Sequence, residues 1–139
     1  MSPDLPAYRR PGLAALVFAG GALGTLARWA VGLAVPHRAG WPLGTAVVNL
    51  AGAFLLGWLL QHLAGRGTDS GRRRALRLLV GTGFCGGFTT YSALANETGT
   101  LLRTGQPGTA LGYALGTVVL GVLASAAGIA LAGRGRPGR

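Results

Sequence analysis

Glycine and polar residues interrupt the third of four apolar segments at GTGFCGGFTTYS, residues 81–92. The first six residues form a G-x-G-x-x-G pattern, which binds a dinucleotide when it joins a strand to a helix in a soluble domain. In a membrane span, the same interruption frees backbone groups that can coordinate ions. The chemistry of this stretch therefore depends on whether its neighbours are strands or spans.

The composition indicates a helical membrane protein. Half of the 139 residues are hydrophobic and 12% are charged, against about a quarter in soluble domains. Most of the 26 glycines lie inside apolar runs, where glycine lets membrane helices approach closely. The net charge of +10 comes from thirteen arginines. They fall between the apolar runs rather than among aromatic residues, so we expect no nucleic-acid partner.

Four apolar segments, at about 13–35, 43–64, 75–102 and 109–132, are separated by short, turn-rich breaks. Each is long enough for the roughly 20 residues that cross a bilayer as a helix. The predicted fold is an all-α membrane protein of one domain, residues 1–139, with four transmembrane helices and a third helix broken near its middle. The dinucleotide interpretation fails because spans flank the pattern and Glu97 follows too soon to be its acidic residue.

The arginines predict the orientation of the four spans. With four spans, both termini and the middle loop share one side, which holds ten arginines against two on the other. This bias predicts a multi-pass cell-membrane protein with both termini in the cytoplasm and one fixed orientation. The ten are Arg9, Arg10, Arg66, Arg72, Arg73, Arg74, Arg77, Arg134, Arg136 and Arg139; the two are Arg38 and Arg103.

Neutral hydrogen-bonding side chains lie at the depth of the spans. Thr45 and Asn49 are four apart in the second span, Tyr113 and Thr117 are four apart in the fourth, and Ser92 follows the interruption. A track of neutral donors suits a small anion that must shed its water, because an anion without replacement donors would pay a large desolvation cost. The alternative for each pair is an ordinary hydrogen bond between helices.

Two further features of the spans have alternative interpretations. Arg28 is the one cation inside a span, which makes it a functional candidate, although its side chain could instead snorkel to the interface. The glycines of the interruption either break the helix to form an ion site or let helices pack closely, as Gly83-x-x-x-Gly87 does in a small-xxx-small contact.

At these residues the sequence resembles the Fluc (CrcB-type) fluoride channels, over about residues 20–132. The resemblance rests on three motifs: Gly20-Gly21-x-x-Gly24-x-x-x-Arg28-Trp29, Gly44-Thr45-x-x-x-Asn49 and GFCGGFTTYS at residues 83–92. It implies four-helix subunits that pair as antiparallel dimers and pass fluoride out of the cell without ATP. It implies a channel, not an enzyme.

The resemblance also implies roles for individual residues. The carbonyls of Gly86 and Thr89 match a central sodium site, which would be a structural cofactor shared by two subunits. Asn49 matches a fluoride donor, with Thr45 on the same face, and Arg28 matches a vestibule arginine. Tyr113 and Thr117 match a hydroxyl track that is shorter here, because its next step is Gly121. Glu97 matches an acid whose role stays open.

Two departures from the family pattern suggest a second kind of subunit. Where the family has two phenylalanines whose ring edges contact fluoride, this chain has Tyr91, which keeps an aromatic edge, and Leu94, which has none. Moreover, ten arginines against two do not suit a chain that must insert in both orientations. We therefore expect a heterodimer with a paralogous four-helix chain of opposite charge bias.

Two other functions stay open from the sequence. The chain could be a non-conducting structural subunit of such a channel, because Leu94 has lost the aromatic edge. A small multidrug or guanidinium exporter also has four spans, but it needs an acid in the first span, and this chain has none there.

Overall fold

A computed structural model describes residues 10–35, 41–64 and 67–134, and helices make up most of these ranges. The arginines at 9, 38, 66, 136 and 139 lie outside the described residues. The elements in chain order are α1 (Pro11–Ala34), α2 (Leu43–Ala64), α3 (Gly71–Leu76), a π-helix (Arg77–Phe84), α4 (Cys85–Phe88), α5 (Tyr91–Arg103) and α6 (Pro107–Arg134).

Three helices within the described ranges, α1, α2 and α6, are long and apolar enough to cross a membrane. Their ends lie within two residues of the spans predicted from the sequence. Proline at the start of α1 fits the first helical turn, where its missing N–H costs no hydrogen bond. The helical pieces between Gly71 and Arg103 are each shorter, so the third predicted span, at about 75–102, and the single domain stay predictions.

The third segment is broken, as predicted, and the break lies at Thr89 and Thr90. Both residues have extended backbones, with φ/ψ of −80°/159° and −150°/117°. The Thr90 hydroxyl then caps α5 by accepting a hydrogen bond from the Ala93 amide at 3.2 Å. Before the break, a π-helix widens the helical turn, and such segments are frequent at functional sites.

The glycines beside the break pack helices together. A Cβ at Gly20 or Gly24 of α1 would collide with backbone atoms of residues 79–88, and a Cβ at Gly83 or Gly87 would collide with the α1 backbone. The packing interpretation of Gly83-x-x-x-Gly87 is therefore confirmed. Because residues of α1 meet later residues of the third segment in increasing order, the two run in the same direction.

Helices α2 and α6 also run in the same direction. Trp41 meets Tyr113 edge-on near their beginnings, with ring centroids 6.4 Å apart, and Gly57 meets Ser125 near their ends. Gly44, at the start of α2, lies beside Val35 at the end of α1, so these two helices are antiparallel. One end of the bundle therefore carries Arg10, Arg72, Arg73, Arg74, Arg77 and Arg134, and Arg103 lies at the other.

The outer faces of the bundle are apolar. Phe18 is 80% exposed, and Trp29 and Val122 are each 65% exposed. Such broad apolar exposure is untypical of a soluble monomer, and lipid or another chain must cover it.

Candidate functional site

Asn49 of α2 holds both backbone groups of Thr90 at the break. Its Nδ2 donates to the Thr90 carbonyl at 3.1 Å, and its Oδ1 accepts from the Thr90 amide at 2.7 Å. An asparagine amide has two N–H donors and a carbonyl oxygen. One N–H of Asn49 is therefore left for a ligand while the other anchors the break.

Arg28 contacts the break from α1. Its Nη1 donates to the Thr89 carbonyl at 3.3 Å, and the residue is half-buried. The guanidinium therefore binds the protein backbone at the middle of the third segment, instead of extending along α1 toward an end of the bundle. This geometry favours the functional interpretation of Arg28 over snorkelling.

Two open cavities flank the break, and Thr90 lines both. The Arg28 cavity, of about 510 Å³, is lined by Arg28, Thr45 and Ser92, with Thr90 and Asn96 among its other residues. The Asn49 cavity, of about 580 Å³, brings together the remaining predicted site residues except Tyr113. They are Asn49, Gly86, Thr89, Tyr91, Leu94 and Thr117. The structure thus divides the predicted site between two open cavities that meet at Thr90.

Glu97 joins three helices near the Arg28 cavity. Thr45 of α2 donates to Oε1 and Tyr113 of α6 donates to Oε2, both at 2.7 Å. The sequence left the role of Glu97 open, and the structure shows that it accepts from two of the predicted pathway hydroxyls. The protons of Thr45 and Tyr113 are thus directed at a carboxylate.

A further hydroxyl of α6, Ser125, lies beyond the gap at Gly121 in the predicted track. Thr117 is 8% exposed and lines the Asn49 cavity, and Ser125, two turns further on, lines the same cavity. The sequence analysis stopped at Gly121 and missed Ser125. The spacing of eight residues from Thr117 was the signal that could have found it, since positions i and i+8 share a helix face.

The break also offers oxygen ligands for a hard cation. The described residues include no group of three histidine, cysteine or acidic side chains that could hold a metal, so backbone oxygens are the available ligands. The Gly86 carbonyl lacks its usual helical donor, because the Thr90 amide donates to Asn49. The Thr89 carbonyl accepts from Arg28 and keeps a second lone pair. The donor chemistry fits, but two carbonyls alone are too few for a hard cation.

Tyr91 and Leu94, which stand at the family's phenylalanine positions, have different environments. The Tyr91 side chain is 82% exposed and projects from the subunit. Leu94 packs against the buried cluster of Leu101, Ala110 and Tyr113. Tyr91 is thus presented toward whatever covers this face, whereas Leu94 joins the wall of the Asn49 cavity to that buried cluster.

Long apolar helices around a broken segment, with open cavities on both sides of the break, define a multi-pass membrane protein. The family described as CrcB-like protein, Camphor Resistance (CrcB), matches residues 15–129. The chain belongs to this family.

Several relatives are similar over most of their length. A protein of Leifsonia xyli subsp. xyli, named fluoride-specific ion channel FluC 2, is 53% identical over 116 residues, which cover 84% of this chain and 80% of the relative. Fluoride-specific ion channel FluC 1 of Cutibacterium acnes is 52% identical over 116 residues, which cover 83% of this chain and 81% of the relative. FluC of Gloeobacter violaceus is 50% identical over 116 residues, covering 81% and 90%.

Proposed function

We propose that this chain is a subunit of a fluoride-selective channel in the cell membrane that lets cytoplasmic fluoride leave passively and so relieves its toxicity. The observation that carries the proposal is that relatives about half identical over most of the chain are named fluoride-specific ion channels. The open cavities on both sides of the break, whose lining includes Arg28, Asn49 and Thr117, support a conducting role. A passive channel needs no reacting group, and we propose no enzymatic activity.

The residues around the break suit a small anion that loses its water. The second N–H of Asn49 and the buried hydroxyl of Thr117 face one cavity and can replace water donors. Such replacement matters because an anion without hydrogen bonds in a low-dielectric interior is very costly. Arg28 adds a positive charge on the other side of Thr90, where it attracts anions toward the break.

The environment of Leu94 favours a second candidate, a non-conducting structural subunit. Leu94 fills an apolar cluster within its own chain and offers no aromatic edge to an anion. If the chain serves only assembly, removing donors from the Asn49 cavity leaves the flux of the assembled complex unchanged. An exporter of drugs or guanidinium has less support, because α1 contains no acidic residue.

The assembly that we propose is an antiparallel dimer with a paralogous four-helix chain. The exposed Tyr91 and the apolar outer faces support a partner, and the arginines gathered at one end support one fixed orientation with cytoplasmic termini. In such a dimer, the carbonyls of Gly86 and Thr89 from both subunits would hold a sodium ion. That ion would offset the repulsion that an anion meets in a low dielectric.

The orientation is tested with reporter tags at each terminus of the chain expressed alone. We expect cytoplasmic signals from both tags. Equal populations in both orientations would refute the fixed orientation and remove the charge argument for a heterodimer.

Conduction is tested by fluoride efflux from liposomes, with chloride as the comparison ion, first with this chain and then with the co-expressed pair. Thr117→Val removes the buried hydroxyl at nearly constant volume, and Thr25→Val is the matched control on the exposed side of α1. We expect fluoride efflux at least tenfold slower in Thr117→Val and unchanged in Thr25→Val, since a lost hydrogen bond of about 1.4 kcal/mol is tenfold in rate. Equal fluoride and chloride efflux from the assembled pair would refute the proposal.

A further inference from the structure

The corner between α2 and the third segment contains a cavity with apolar and basic walls. It has a volume of about 330 Å³ and lies at the arginine-rich end of the bundle. Its apolar wall is Leu60, Leu63 and Ala64 at the end of α2, and its polar wall is Gly67, Asp69, Arg73 and Arg77. Neither of the two cavities at the break shares a residue with it.

Asp69 is the acid of this corner, and two arginines already bind it. Arg77 donates to its carboxylate from Nε at 3.1 Å and from Nη2 at 2.6 Å. Arg74 donates from Nε to the Asp69 carbonyl at 3.0 Å, and the same Nε lies 3.8 Å from Oδ2. The segment between residues 69 and 77 thus holds four arginines and one acidic residue, and the corner keeps a local excess of positive charge.

Arg73 is the arginine that lines the cavity without a carboxylate partner among the described residues. Its guanidinium lies against Gly67, where an added Cβ would come within 2.8 Å of Nη1. Gly67 has a φ of +98°, which favours glycine. The tight, side-chain-free turn therefore gives Arg73 room beside the cavity.

We propose that this corner binds the headgroup phosphate of an anionic phospholipid, with Arg73 as the phosphate ligand and Leu60 and Leu63 beside the acyl chain. A guanidinium suits phosphate because its planar fork donates two parallel hydrogen bonds. The apolar wall favours a lipid over free phosphate, because only a ligand with a hydrocarbon part can bury apolar surface against it. The site is also at the end of the helices, where headgroups lie. This proposal is independent of conduction.

The test is native mass spectrometry of the purified, delipidated chain after addition of phosphatidylglycerol or phosphatidylcholine. We expect the wild type to keep phosphatidylglycerol in clear preference to phosphatidylcholine. Arg73→Gln should weaken phosphatidylglycerol binding about fivefold, the contribution of one arginine near an anionic surface. Arg103→Gln removes the same charge at the opposite end of the bundle and should leave binding unchanged.

Three results would overturn the proposal. The first is equal retention of the two lipids by the wild type, a comparison that needs no variant and holds even if Arg73→Gln fails to fold. The second is an equal loss of binding in Arg103→Gln, which would indicate a general charge effect. The third is displacement of phosphatidylglycerol by an equal concentration of inorganic phosphate, which would indicate a site for free phosphate.

Discussion

Replacing Asn49 with alanine is the most informative perturbation of the break, because Asn49 satisfies both backbone groups of Thr90. Asn49→Ala leaves the Thr90 amide and carbonyl without their partners. Each unsatisfied buried group costs about 1–3 kcal/mol. Thr90 lines two open cavities, so water can partly replace the lost bonds, and the lower half of the range applies. With about 1–2 kcal/mol for each of the two groups, we expect the free energy of unfolding to fall by about 2–4 kcal/mol.

The assay is unfolding in mixed detergent micelles, followed by tryptophan fluorescence or far-ultraviolet circular dichroism. Val47→Ala is the control on the same helix. Val47 is 44% exposed, and its truncation should cost less than about 1 kcal/mol. If the free energy of unfolding of Asn49→Ala lies within about 0.5 kcal/mol of the wild-type value, the two hydrogen bonds do not stabilise the break and the reasoning is wrong.

Asn49→Asp separates the two hydrogen bonds. The aspartate keeps an acceptor for the Thr90 amide, but an ionised carboxylate cannot donate to the Thr90 carbonyl and repels it. A protonated carboxyl regains one donor. The stability of Asn49→Asp relative to wild type should therefore improve as the pH is lowered, whereas the deficit of Asn49→Ala should not depend on pH. A pH-independent deficit in Asn49→Asp would contradict a donor role toward Thr90.

Three further predictions concern the packing of α1, the Glu97 carboxylate and Asp69 in the arginine-rich corner. Gly24→Ala should destabilise the fold by about 1–3 kcal/mol, because the added Cβ meets backbone atoms. Gly32 has open space around it, so Gly32→Ala should stabilise the fold by up to about 1 kcal/mol through its higher helix propensity. Unfolding curves of the two variants test this difference. Tyr113→Phe should cost about 1.5–3 kcal/mol in the same assay, since it removes a hydrogen bond to a carboxylate. The hydrogen bond from Arg77 holds the pKa of Asp69 below its ordinary value, against the opposing effect of desolvation. A carboxyl group with a lowered pKa stabilises the fold at pH values above its unfolded pKa of about 3.9. This contribution is lost as the pH falls below that value. Asp69→Asn should therefore be less stable than wild type at neutral pH and equal to it in strong acid, and a difference that persists in acid would contradict this ion pair.

The helices follow from the sequence because their signals are local. Apolar runs bounded by glycine, proline and arginine predicted the ends of α1, α2 and α6 to within two residues. The sequence did not predict which residues of the third segment would be extended. Glycine and threonine both have low helix propensity, so either could have interrupted the helix. The structure assigns Gly83 and Gly87 to packing and Thr89 and Thr90 to the break.

The bonds that build the site join residues far apart in the chain, and no local pattern specifies them. Asn49 and Thr90 are 41 positions apart, and Thr45 and Glu97 are 52 apart. Residue type showed that Asn49 and Thr45 can donate, but it did not show to which group. Consequently the sequence grouped Thr45, Tyr113 and Thr117 as one track, whereas in the structure the first two donate to Glu97 and Thr117 lines the other cavity.

Tyr91 and Leu94, which stand where the family has phenylalanines, have different consequences for a dimer. Leu94 packs against the buried cluster of its own chain and lines the Asn49 cavity, so its substitution changes the wall of that cavity. Tyr91 projects outward, so any space that it lines must be closed by atoms of another chain. A partner that covers Tyr91 therefore also closes the cavity that Leu94 lines. It follows that Leu94→Phe should change conduction by altering the wall of the Asn49 cavity, whereas Tyr91→Phe should change conduction by altering the contact with the partner.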